Sequence, residues 1–116
     1  MSAAQKFAIM DTGSEVLPWT GQSGRQYRLL PESFSGFQLR DGTVHVLVSG
    51  MTALWAGSAS DVVADPQSRA RFRAAMESDV AVYRLEPTPD EDSRSTIAWD
   101  IVNGRMSDPF DLDEAG

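Results

Sequence analysis

The sequence predicts an α+β domain: a small, mostly antiparallel β-sheet with one or two packed helices. Short runs rich in β-branched and aromatic residues, near 25–30, 43–48, 53–56 and 79–86, are separated by glycine-containing reversals, as in hairpin-connected strands. Asp65-Pro66 opens a stretch whose apolar residues recur at helical spacing. With 116 residues and no Cys, there is room for one core that folds without disulfides. The expected organisation is a loosely ordered N-terminal arm at 1–16, a single domain at 17–104, and an acidic disordered tail at 105–116.

The arm has little pattern beyond Phe7-Ala8-Ile9-Met10 and the turn-like Asp11-Thr12-Gly13-Ser14. Gly21, Ser23 and Gly24 mark a turn between Leu17-Pro18-Trp19 and Tyr27-Arg28-Leu29-Leu30, so 25–30 reads as a strand. A second turn follows from Pro31, then a short extended piece at 37–39 and a strong reversal at Asp41-Gly42. Thr43 to Val48 is apolar on both faces except at Thr43 and His45, which suits a central strand covered on both sides. Ser49-Gly50-Met51-Thr52 closes a hairpin onto Ala53 to Ala56.

After Gly57, the small and polar Ser58-Ala59-Ser60-Asp61 leads to the helix start at Asp65. Its carboxylate can accept orphan amide hydrogens, and Pro66 suits the first helical position. Phe72, Ala75, Met76 and Val80 form the apolar stripe, with Arg71 and Arg73 about 100° to either side of Phe72. Residues 79–86 alternate Val80, Val82 and Arg84 with Ala81, Tyr83 and Leu85, and read as a strand. The segment 94–103 carries two periods: Ile97, Trp99 and Ile101 alternate as in a strand, whereas Ile97 with Ile101 and Ala98 with Val102 fit a helix. A helix is favoured by Pro89, by the acids at 90–92, which suit a helix N-terminus, and by Asn103-Gly104 as a stop.

The net charge of -7 is concentrated at one end: residues 1–86 carry a balance of -1 and residues 87–116 a balance of -6. Binding nucleic acid takes clustered Lys and Arg, so an acidic chain whose only Lys is Lys6 makes that partner unlikely. Without Cys and with a single His, zinc-thiolate sites and Cys nucleophiles are excluded, and a metal site built from carboxylates would suit magnesium or calcium. The N-terminus has neither the apolar core of a signal peptide nor a membrane span, so no membrane association and a cytoplasmic location are expected.

Thr43-Val44-His45 and Trp55-Ala56-Gly57 stand about ten residues apart on neighbouring strands, with a helix and a strand after them. In this the stretch from roughly Trp19 to Gly104 resembles the GIY-YIG nuclease family, whose two signature triplets occupy such strands. The resemblance implies a three-stranded sheet with helices around it, two Tyr at the reaction centre, an Arg on the following helix to steady the scissile phosphate, and a Glu to hold a divalent metal. Here only Gly57 is an identity. His45 and Trp55 replace the Tyr pair, Ala64 and Asp65 stand where the Arg would fall, and no position near Asp100 matches the Glu. The resemblance thus implies a catalytically inactive interaction or accessory protein, with no cofactor. The alternative is a metal-dependent nuclease or phosphodiesterase using His45 in place of Tyr, with Mg2+.

Each candidate residue has a functional and a plain structural reading. His45 titrates near neutrality and could act as a base, or it is a hydrogen-bonded strand residue. Trp55 could stack on a ligand, in a pocket between sheet and helix, or fill the core. Arg69, Arg71, Arg73 and Arg84 could contact phosphate, or form a solvated flank balanced by nearby acids. The glycines of 20–27 lack the Lys-Ser/Thr of a P-loop and read as a turn. Phe110 and Leu112 sit among four acids, as in short segments that dock on a basic, apolar groove of a partner protein, although acidic tails also serve solubility.

Overall fold

Residues Val44 to Val48 are all buried because the strand they form lies between two others and is covered on both faces. The computed structural model describes residues 16–33 and 37–107. Its elements are β1 (Leu17–Thr20), β2 (Gln26–Glu32), β3 (His45–Ser49), β4 (Thr52–Gly57), α1 (Ala59–Ala64), α2 (Pro66–Met76), β5 (Ala81–Glu86), α3 (Glu91–Val102) and β6 (Arg105–Met106). One six-stranded sheet, in the order β4-β3-β5-β2-β1-β6, is antiparallel at every pairing. The edge strands β4 and β6 come near each other and α3 packs across β4, so the sheet curls towards a barrel.

Alternation along β3 divides the interior. Val44, Val46 and Val48 face Trp19, Tyr27, Leu29 and Leu85, and α3 closes this layer with Ile97 and Ile101. Leu47 faces the other way, onto Trp55, Val82 and Ala75, with Phe37, Leu39, Phe72 and Met76 packed around them. Helix α2 covers that second layer.

The 94–103 segment is helical, and burial shows why. Ile97 and Ile101 are buried whereas Trp99 is 58% exposed, which a helix allows and a strand would not, since alternation puts all three on one face. Asp90 caps it by accepting the Ser93 N–H at 3.0 Å.

Several expectations need correction. Leu17–Thr20, read as the flank of a turn, is a strand paired on both sides. Strand β2 runs on through Pro31 to Glu32, past the end of β1, where the missing Pro N–H disturbs no second ladder. Ser58 to Ala64, read as a connection, is capped helix. Helix α2 stops at Met76, so Val80 joins the second layer from outside the helix. The folded body extends past 104: Arg105 and Met106 pair with Thr20 and Trp19, and Ser107 is buried. The sheet has six strands among the described residues. The expected arm, apart from Val16, and the tail from 108 onward lie outside the described residues. No helix among the described residues is long and apolar enough to cross a membrane.

Candidate functional site

Three polar or open places can be built from the fold. The first surrounds His45. Its position on β3 points the ring at the layer containing Leu47, beside β5 and the end of β2. Nδ1–H donates to Glu32 Oε1 at 3.1 Å, and Nε2 accepts the Arg40 backbone N–H at 3.2 Å. That pair of partners assigns the proton to Nδ1. The ring is fully enclosed, with Phe37 edge-on at 5.2 Å. Glu32 also accepts from Arg40 Nη2 at 2.7 Å, while Arg84 lies 3.7 Å away and bonds Glu86 at 3.2 Å.

Burial holds the imidazole below its ordinary range, and the Glu32 charge only partly offsets this. Burial acts on Glu32 in the opposite sense, but the hydrogen bond from Arg40 and the nearby cationic groups outweigh it and leave the carboxyl below its usual value. A general base needs a lone pair that a substrate can reach. Nε2 gives its lone pair to a main-chain amide, so the ring ties residues 37–44 to the sheet.

The second place is Asp100, on α3. It is 5% exposed and accepts the Ser23 N–H at 2.8 Å, the Ser23 hydroxyl at 2.7 Å and the Tyr27 hydroxyl at 2.7 Å. Burial disfavours its charge, but these donors outweigh burial and the carboxyl sits below its usual range. Burial and the Asp100 carboxylate push the Tyr27 hydroxyl up to about 12. A carboxylate with its lone pairs so occupied is a clamp between α3 and the β1–β2 turn. Among the described residues, no three His, Asp or Glu side chains come together as a metal-holding group.

The third place is open. A groove of about 580 Å³ runs over the outer edge of β4, floored by Leu54, Trp55 and Ala56. Trp99 and Val102 of α3 form one wall, and Ser68 and Arg71 of α2 the other. Asp61 and Asp65 stand on the rim. Beyond β4 there is no further strand among the described residues.

The sequence candidates therefore separate. Trp55 is only 3% exposed; it stacks edge-on against Phe72 at 4.9 Å and donates Nε1–H to Ser68 Oγ at 3.0 Å, so it supports the groove from below. Arg69 Nη1 donates to the Val62 and Val63 carbonyls at 2.9 and 3.2 Å, which caps the last turn of α1. Arg73 is exposed on α2, and Arg71 faces the groove, so the arginines form no single cationic face. Phe110 and Leu112 lie outside the described residues. Gly57, the residue shared with the GIY-YIG pattern, has a packing reason of its own: a Cβ there would stand 2.8 Å from Asp61 Oδ2 and 2.9 Å from the Trp55 ring.

Sequence reasoning missed Trp99 and Asp100. The signal for both was the helical reading of 94–103, which turns Trp99 away from Ile97 and Ile101 and brings Asp100 beside the buried face. Compared with protein-family models, curated proteins and solved structures, the chain matches none.

Proposed function

We propose that this protein is an interaction or accessory domain that captures an extended segment of a partner protein along the open edge of β4. The observation that carries this reading is Trp99: a large ring, 58% exposed, beside the edge strand β4, whose Leu54, Trp55 and Ala56 line a groove. A chain laid along a sheet edge gains main-chain hydrogen bonds whatever its sequence, and neighbouring pockets supply selectivity. Trp is over-represented among residues that dominate binding energy, because one rigid side chain contributes a large contact area. Asp61 and Asp65 outnumber Arg71 around the groove, so the segment it suits carries Lys or Arg next to an apolar residue.

Of the GIY-YIG resemblance this reading keeps an inactive scaffold. The nuclease alternative would need His45 to release Arg40 before it could accept a proton, and nothing in the site's geometry favours that.

Selection from a library of random peptides on the immobilised protein tests the proposal. Enriched peptides with an apolar residue flanked by Lys or Arg are expected, with binding abolished in Trp99→Glu while thermal melting stays unchanged. Absence of enrichment, or equal binding by the variant, would overturn it. Magnesium-dependent DNA cleavage that disappears in His45→Ala would put the nuclease reading in its place.

A further inference from the structure

We infer that His45 is an acid-sensitive latch: its neutral ring holds the Arg40 main chain against the start of α1, and protonation of Nε2 breaks that contact and loosens the rim of the groove over β4. The effect on partner capture rests on the reading proposed above; the latch itself does not.

The first support is hydrogen-bond chemistry. Nε2 accepts the Arg40 N–H at 3.2 Å, while Nδ1–H donates to Glu32 at 3.1 Å. A protonated imidazole has two N–H donors and no lone pair, so Nε2–H would face another N–H. Glu32 can still accept from Nδ1, but the Arg40 amide offers nothing to a donor, and that contact breaks. The ring is fully enclosed, with Phe37 edge-on against it, so a charged ring regains water only when the segment over it lifts.

The second support is what Arg40 holds. Its carbonyl accepts the Ala59 N–H at 3.3 Å, one of the amides that the first turn of α1 leaves without a partner inside the helix. No residue of this six-residue helix is buried, so its position depends on contacts at its ends, Arg40 at the start and Arg69 at the finish. Asp61, on α1, and Asp65, which ends it, stand on the rim of the groove. The N–H and the carbonyl of one residue thus join the ring to the rim.

The surrounding charges favour release. From β2, Glu32 faces Nδ1; from β5, Arg84 pairs with His45 across the strands and bonds Glu86. From the covering segment Arg40 reaches Glu32, and on the β4 side Asp61 lies beyond Gly57, the partner of His45 in the ladder. When the segment lifts, the Arg40 guanidinium, which disfavours a second positive charge, leaves with it, whereas Glu32 stays on β2 beside the ring. Burial, the main cause that holds the closed ring below its ordinary range, is relieved in the same step. The open form therefore binds the proton more tightly, and opening is favoured as the pH falls through about 6.5.

Amide hydrogen exchange of the full chain, read by NMR and corrected for the intrinsic rate at each pH, tests this. The Arg40 and Ala59 amides are expected to lose protection together, by up to about tenfold between pH 7.5 and 5.5. Both are expected to stay less protected than the amides of the buried Leu29 and Ile101, which read global unfolding. His45→Gln, whose side-chain amide donates and accepts without titrating, is expected to hold both at a constant level. Glu32→Gln removes the charge that favours the protonated ring, and is expected to move the loss to lower pH. Protection independent of pH in the parent overturns the inference. So does a loss that persists in His45→Gln, or protection at Arg40 and Ala59 equal to that at Leu29 and Ile101. Failure of the peptide selection would remove the partner reading and leave this comparison intact. If the selection succeeds, its peptides are expected to bind the parent several-fold more weakly at pH 5.5 than at pH 7.5, and His45→Gln equally at both. Equal binding by the parent at the two pH values also overturns the inference.

Discussion

Asp100 keeps a charge in the interior because three donors converge on it, and His45 stays neutral there because its two nitrogens already have complementary partners. The consequence for His45 is a definite pH dependence. The folded state holds its proton less tightly than the unfolded chain, so the unfolded state binds more protons once the pH falls below about 6.5. Stability contributed by the neutral ring is present above that value and is lost on acidification. Urea unfolding between pH 7.5 and 5.5 should show a falling midpoint in the parent, and a flatter profile in His45→Gln over that range. Glu32 and Asp100 act in the same direction at lower pH, because each has a carboxyl depressed in the fold. The sequence offered His45 as a lone imidazole on an apolar strand. It could not show that Glu32 and the Arg40 amide meet the ring, since those contacts depend on how β2 and residues 37–44 lie over β3.

Among the elements, α1 and α2 form one device joined at Asp65. This residue ends α1, where its N–H donates to the Asp61 carbonyl at 3.0 Å, and caps α2 by accepting the Gln67 N–H at 3.0 Å. Asp65→Ala is expected to cost about 0.5–2 kcal/mol, read as a lower urea midpoint with an unchanged slope. The α2 start was legible because Asp-Pro states it locally. The start of α1 was equally present, in Ser58 and Asp61: the Asp61 carboxylate accepts the Ser58 N–H at 2.8 Å, the reciprocal half of a capping box. With six residues, α1 is too short for an apolar period to announce it, and its stability comes from neighbours such as Arg69 at its end. For α3 both periods were written in the sequence, and burial against β4 and the first layer decided between them.

At the scale of the whole molecule, the sheet depends on its last described residues. Thr20 and Ser107, 87 positions apart, bond to each other in the interior, so β6 and Ser107 hold β1 from its outer side. A chain ending at Gly104 is expected to lose roughly 1–3 kcal/mol, from an unsatisfied buried hydroxyl and a lost pairing. A chain ending at Ser107 should unfold close to the parent, and urea denaturation of the two truncations separates these outcomes.

By itself the sequence determined the α+β class, the β3–β4 hairpin, the helix after Asp65 and the strand after it. Each is stated by residues close together in the chain: a two-residue alternation, a glycine reversal, a cap. Only the tertiary structure decided that β1 and β6 are strands, that β4 is an edge, and that Trp99 stands exposed beside it. Those facts come from pairings between distant segments, which are stabilised by complementary packing in space and leave no periodic trace in stretches of two to four residues.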